Sequence, residues 1–319
     1  MAFVSKIYAN TLASYNEKYL MDADRLRRLM DCSYPDAIKA LMDYGWGDGQ
    51  ATPTQESLLA YETSKLISFV RENAVSDKVR DVLLAEFMFH NAKASYKGRV
   101  SGRDVKRALY GGFEDVSEAV MEKEYSALPD ILADCLTSLD EKGDVTELSP
   151  REIDMAVSRA RYEYSLRKAR GDRSLTKYVK SEIDLKNLLT LFRCRVMEME
   201  ASDFSEMFIE GGSLDESEMV KALTGTAEAF NLFYARCQYY EVFAGVEKGE
   251  SAITELETGI DNYLYALTLA GREDFTSKNP FINYFYRALI ELKTVKTVLV
   301  CIKNNAVGEI KRRLRAIYD

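Results

Sequence analysis

One segment of this chain occurs twice. Ala108-Leu-Tyr-Gly111-Gly112-Phe-Glu-Asp-Val-Ser-Glu118-Ala-Val120-Met121 lies 100 residues before Phe208-Ile-Glu-Gly211-Gly212-Ser-Leu-Asp-Glu-Ser-Glu218-Met-Val220-Lys221. Both read as a helix ending in a glycine cap, then a polar loop that opens an acidic first turn. A second set of anchors recurs in the same order. Ile153-Asp154 matches Ile260-Asp261, and Ile183-Asp184-Leu-Lys186-Asn-Leu matches Ile290-Glu291-Leu-Lys293-Thr-Val, both 107 residues apart. A weaker first copy stands at Phe89-His90-Asn91-Ala-Lys93-Ala-Ser-Tyr-Lys97. Three units of about a hundred residues account for the whole chain, with small loop insertions between them. Their boundaries fall at 1–105, 106–205 and 206–319. Such a repeat is the signature of a scaffold that presents similar surfaces several times over.

The repeated unit is helical. Only 5 prolines occur in 319 residues, and most stand where a helix begins. Ser149-Pro150-Arg151-Glu152 is a capping box with proline at the first helical position. Asn279-Pro280 and Thr52-Pro53 have the same cap-then-proline order. Pro35 and Pro129 are each followed by Asp, which suits the positive end of a helix dipole. Between these starts, apolar residues return at spacings of three and four, as in Leu26, Leu29, Met30, Ile38, Leu41 and Met42. Strict alternation and Asn-Gly hairpin turns are both absent. The expectation is an all-α fold with about fifteen to twenty helices of ordinary length.

Composition narrows the chemistry. His90 is the single histidine, so His-cluster metal sites and most nucleophile–histidine pairs are excluded. Its place on an aromatic helix face predicts a satisfied, half-buried side chain rather than a proton carrier. Cys32, Cys135, Cys194, Cys237 and Cys301 are odd in number and scattered, which predicts reduced thiols in a cytoplasmic compartment and no zinc site. The Gly-Gly pairs lack the Lys-Ser/Thr of a P-loop, so no nucleotide cofactor is expected. The N-terminus has no long apolar core of a secretion signal. The longest plain apolar run, Val298-Leu-Val-Cys-Ile302, is far shorter than the roughly 20 residues that span a bilayer. A net charge of -8 argues against nucleic acid as a partner. That charge is uneven: residues 151–195 hold 12 Lys and Arg against 6 Asp and Glu, while residues 196–261 hold 3 against 15. Neighbouring repeats that complement each other would produce this, as would an acidic face that steers a basic partner.

Taken together, Tyr8-Ala-Asn10…Leu12, Leu26-Arg-Arg-Leu29 and Leu41-Met-Asp-Tyr44-Gly45 resemble the opening of the C/d subunits of V- and A-type rotary ATPases. Asn279-Pro-Phe-Ile-Asn-Tyr-Phe-Tyr-Arg-Ala-Leu-Ile-Glu291-Leu-Lys293-Thr-Val is similar to that family's final-repeat helix. Glu309-Ile-Lys-Arg-Arg-Leu-Arg315-Ala-Ile-Tyr318 is similar to its closing Arg-rich helix. Phe89-His90-Asn91-Ala-Lys93 and Asp184-Leu-Lys-Asn187-Leu are the matching helices of repeats one and two. The sequence departs from the family at Met88, where the first repeat often carries aspartate, and at Thr294, which replaces the usual asparagine. The resemblance runs from end to end of the chain.

The resemblance implies an all-helical funnel of three pseudo-symmetric repeats. It implies a non-catalytic rotor subunit of a prokaryotic central stalk, peripheral on the cytoplasmic face of the membrane. The implied partners are the central-shaft subunits of D and F type and the membrane ring of c/K-type subunits. Asn91, Lys93, Asp184, Lys186, Asn187, Glu291 and Lys293 are the candidate partner-binding residues. Intra-helix pairs or links between repeats are the alternative for the same positions. Lys311, Arg312, Arg313 and Arg315 form a basic C-terminal segment, expected as a solvated last turn or, less simply, as a contact with anionic headgroups. Two other functions fit less of the chain. A TPR-like adaptor would repeat every 34 residues, and a carboxylate enzyme of prenyl-transfer type would need an Asp-Asp-x-x-Asp motif that is absent.

Overall fold

The structure, a computed structural model, describes residues 5–142, 148–244 and 252–318 and, within these, all side chains but those of Lys311 and Arg312. The described residues form helices and connecting loops with no strand. In chain order the helices are α1 (Lys6–Glu17), α2 (Ala23–Met30), α3 (Tyr34–Asp43), α4 (Gln55–Asn73), α5 (Asp77–Ser101), α6 (Glu114–Glu122), α7 (Asp130–Glu141) and α8 (Pro150–Ala169). There follow α9 (Arg173–Val196), α10 (Ala201–Met207), α11 (Glu216–Thr224), α12 (Ala227–Arg236), α13 (Tyr240–Phe243), α14 (Ala252–Leu269), α15 (Asn279–Lys303) and α16 (Ile310–Arg313). Short 3-10 turns join several of them.

Two compact units emerge. The described residues of Met1–Ser76 and Phe230–Asp319 make one, and Asp77–Ala229 the other. In the first, the 25-residue α15 packs against α1, α2, α3, α4 and α14. Its Val295, Val298 and Leu299 meet Leu26, Leu29, Leu41 and Leu58 in one apolar core. Each such leucine contributes about 1.5–3 kcal/mol relative to an exposed one. In the second unit, α5, α8 and α9 pack in series, with α6 and α7 beside the first two and α10 and α11 beside the third. Tyr96 and Phe89 of α5 are fully buried there. Arg99 on the same helix holds Asp140 of α7 at 2.5 Å, and Tyr96 and Tyr125 donate to that carboxylate at 3.0 and 2.7 Å. Burial raises the Tyr125 hydroxyl pKa to about 12.

The helix starts largely obey their local signals. Ser149 accepts from the Glu152 amide while Glu152 accepts from the Ser149 amide, with Pro150 opening α8. Two starts differ from expectation. α4 is capped by Thr54, not Thr52, because Thr54 and Ser57 make a reciprocal box that satisfies two groups, at 3.1 and 2.9 Å. Asn279 is the first residue of α15 rather than its cap, because its amide is drawn back to the Ala270 carbonyl at 2.9 Å. Gly271 makes that approach possible: a Cβ there would sit 2.6 Å from the Asn279 amide nitrogen.

The C-terminal segment also departs from expectation. It is not one closing helix but the four-residue α16 and a 3-10 turn, Ala316–Tyr318. Arg315 is not solvated. Its guanidinium folds onto the half-buried Asp261 of α14 at 3.0 Å, a countercharge that leaves the residue 9% exposed. The expected role of Lys311 and Arg312 lies outside the described side chains. The five cysteines are free thiols. Among the described residues no helix is long and apolar enough to cross a membrane.

Candidate functional site

The seven sequence-derived positions lie on the three long helices α5, α9 and α15, and they divide into two groups. Asn91, Asp184, Asn187 and Glu291 are buried, and each makes at least one hydrogen bond inside the chain. Lys93, Lys186 and Lys293 reach solvent.

Each buried side chain fixes a loop. Asn91 donates to the Tyr110 carbonyl at 2.8 Å and accepts from the Tyr110 amide at 2.8 Å. Asn187 makes the same two-way pair with Ile209, at 2.8 and 3.0 Å. A buried amide side chain that satisfies both groups of one peptide replaces the ladder bonds the loop lacks. Asp184, three residues before Asn187, accepts from the amides of Ser213 at 2.8 Å and Leu214 at 3.1 Å, and from the Ser213 hydroxyl. The Gly-Gly pair therefore serves as something other than a helix cap. α10 ends at Met207, and Gly211 takes a left-handed conformation at φ 96° within the loop. At Gly212 a Cβ would fall on the Asp184 carboxylate, so only glycine admits this approach.

In α15 the corresponding residues are Glu291 and Thr294. Glu291 Oε2 accepts from the Met21 amide at 2.5 Å. Met21 stands directly before Asp22, which caps α2, as Leu214 stands before Asp215, which caps α11. The α1–α2 connection thus does for α15 what residues 208–215 do for α9. Thr294 Oγ1 is buried without a partner, since no loop among the described residues presents a peptide to it. Burial raises the Glu291 carboxyl pKa to about 7. The Met21 N–H opposes that rise, nearby Glu62 adds to it, and Arg287 and Lys65 offset part of it.

The lysines form a second pattern. Lys93 and Lys97, one turn apart on α5, reach the two oxygens of Asp154 on α8 at 3.3 and 2.6 Å. Lys293 and Arg315 hold Asp261 likewise, at 2.8 and 3.0 Å. Asp154 and Asp261 are the pair that the 107-residue offset matched by type; nothing in that spacing identified them as lysine partners. Lys97 was readable only as one helical turn beyond Lys93. Lys186 on α9 has no carboxylate at ion-pair distance among the described residues. Its ammonium pKa is lowered, first by desolvation and then by Arg193, Arg161 and Lys93 around it. Arg161 is itself held by Glu182 at 2.6 Å. Lys93 and Arg161 are thus neutralised within the unit, and Lys186 is the one of the three candidate lysines that has no carboxylate at ion-pair distance among the described residues.

His90 is half-buried, its Nε2 bonded to the Ala108 carbonyl at 2.8 Å and its ring against Tyr110. That is the satisfied role expected for it. The charge imbalance is partly internal, since Arg151 of the basic stretch pairs with Asp203 and Glu206 of the acidic one at 3.4 and 3.7 Å. Residues 245–251 of the acidic stretch lie outside the described residues.

Comparison with known proteins gives consistent likenesses. A family model described as ATP synthase (C/AC39) subunit matches residues 9–313. The C subunit of the V-type sodium ATPase of Enterococcus hirae is 22% identical over 272 residues, covering 83% of each chain. The C subunit of the A-type ATP synthase of Thermoplasma acidophilum is 24% identical over 181 residues, 52% of this chain and 49% of that one. That of Methanococcoides burtonii is 32% identical over a shorter stretch of 93 residues, 28% of this chain and 26% of that one.

Proposed function

The chain belongs to the ATP synthase (C/AC39) subunit family, and on that premise we propose that it is a non-catalytic central-stalk subunit of a V/A-type ATPase. In this reading it joins the rotating shaft, of D- and F-type subunits, to the membrane rotor ring of c/K-type subunits. ATP turnover in the head is thereby linked to ion movement through the membrane. The protein sits on the cytoplasmic face, peripheral to the bilayer, and its repeats at 1–105, 106–205 and 206–319 offer similar surfaces to these partners.

The observation that supports this most is the division of labour on the long helices. A torque-bearing coupler must keep its partner-facing loops from deforming. Asn91, Asp184, Asn187 and Glu291 tie loops to the helices through hydrogen bonds of buried side chains. Close-packed protein interiors are barely compressible. Lys93, Lys186 and Lys293 are the residues we assign to partner contact, with Lys186 the strongest, because its charge is not neutralised by a neighbouring carboxylate among the described residues. An acidic patch on the shaft is the complement.

Gentle solubilisation of native-host membranes, capture of the tagged chain and mass spectrometry of what co-purifies would test the assignment. Recovery of ring and shaft subunits, with the nucleotide-binding head behind them, is the expected result. Recovery of soluble proteins alone, with no ring subunit, would overturn it.

A further inference from the structure

Glu291 differs from its counterpart Asp184 in a way that loop fixing does not explain. The two oxygens of Asp184 receive three donors from Ser213 and Leu214. Glu291 receives one, the Met21 amide at Oε2, and its Oε1 has no hydrogen-bond partner among the described residues. No cation among those residues stands within ion-pair distance of it, although the residue is only 5% exposed. Oε1 is not among the sealed, unpartnered atoms of the described residues, so it is open to accept a donor from outside the chain.

Beside it lies a cleft of about 200 Å³ within the first unit, between α1, α3, α4 and α15. Its walls include Tyr44, Trp46, Phe69 and Tyr284, and its polar groups include Glu62 and Lys65. Glu62 is already engaged, by the Gly47 amide at 3.0 Å and by Lys65 at 3.3 Å. Lys65 points largely to solvent. Among the described residues, the one uncommitted charge in this aromatic-walled cavity is therefore the Glu291 carboxylate. Aromatic faces and a carboxylate together attract a cation with an apolar stem. The volume suits a group of a few heavy atoms.

We propose that this cleft binds a small organic cation, an ammonium or guanidinium group on a short carbon stem, with Glu291 Oε1 taking the charge and the aromatic walls the stem. The ionised carboxylate is the binding form. The charged and titratable groups that surround it are Glu62 and Lys65 of α4, Arg287 and Tyr284 of α15, Glu17 of α1 through its 3.2 Å pair with Arg287, and Tyr318. With its carboxyl titrating at about 7, affinity falls about tenfold between pH 8 and pH 6. The same chemistry can arrive as a free molecule or as an arginine side chain of a partner protein.

Trp46 lines the cleft and is the only tryptophan of the chain, so its emission reports occupancy directly. The full chain is titrated with n-propylguanidinium, n-butylammonium and the peptide Gly-Arg-Gly, with sodium chloride at matched ionic strength as the blank. A saturable change at pH 8, about tenfold weaker at pH 6 and lost in Glu291→Gln, is expected. Glutamine still accepts the Met21 N–H, which favours folding of that variant. Ala288→Leu narrows the cleft while keeping the carboxylate and abolishes the response as well. Tighter binding of the peptide than of propylguanidinium identifies a protein side chain as the source, and the reverse identifies a free molecule. The absence of a saturable change, or an equal change in folded Glu291→Gln, would overturn the proposal.

Discussion

Glu291 makes the stability of the first unit depend on pH in a direction opposite to that of an ordinary paired carboxylate. Its pKa is raised from 4.5 to about 7, chiefly by burial. Between those two values the folded chain therefore holds a proton that the unfolded chain has lost. Stability from this group is fully present below pH 4.5 and is lost as pH rises through 7. The difference of about 2.5 units corresponds to roughly 3 kcal/mol, at 1.36 kcal/mol for each unit. No discount for solvent screening applies, since the residue is 5% exposed. Other carboxylates titrate over the same range, so the informative quantity is the difference between the native chain and Glu291→Gln. Glutamine is neutral throughout and keeps the bond from Met21. Urea denaturation followed by Trp46 emission reads the core that holds both α15 and Trp46. Relative to the variant, the native chain should lose roughly 3 kcal/mol from pH 4.5 to pH 8. Parallel pH profiles for the two proteins would refute the reasoning.

Three further outcomes follow from the same geometry. Asp184→Ala strips two part-buried amides and a hydroxyl of their buried acceptor and should cost about 2 kcal/mol, with faster hydrogen exchange at Ser213 and Leu214; unchanged protection there would show that the carboxylate does not hold the loop. Thr294→Val removes a buried hydroxyl that has no partner among the described residues and should be neutral or stabilising by up to about 1 kcal/mol, read from the urea midpoint; a loss of that size would mean the hydroxyl is satisfied after all. Lys186→Glu should weaken capture of the shaft subunits about tenfold, or about 1.4 kcal/mol, while melting stays unchanged; full capture at raised and lowered salt alike would take Lys186 out of the interface.

The sequence revealed those features of the fold that rest on neighbours a few residues apart. The Ser149–Glu152 box is complete within four residues, and the three-and-four spacing of Leu26 and Leu29 fixes the buried face of α2 whatever it packs against. The offset between Ile183-Asp184 and Ile290-Glu291 was legible because residue type alone carries it. What that offset could not supply was the partner. Glu291 accepts from the Met21 amide, 270 residues earlier, and Arg315 is drawn to Asp261, a countercharge 54 residues away. No local propensity encodes either pair. Gly212 looked like a helix cap because caps are what glycine pairs usually make near helix ends. The real demand on it, room for a carboxylate from α9, comes from the other side of the contact. The same limit divides the candidate residues. Their recurrence was visible, but whether each points inward to a loop or outward to solvent depends on which helix packs over it.

The central claim is mechanical linkage between ATP turnover and ion movement. The most direct test is to measure both in membrane vesicles from the native host, with and without this chain, restoring the purified protein to the depleted vesicles. Linkage through this chain predicts that depleted vesicles still hydrolyse ATP but build no ion gradient, and that adding the protein back restores the gradient. An ATP-driven gradient that persists in vesicles lacking the chain would contradict it.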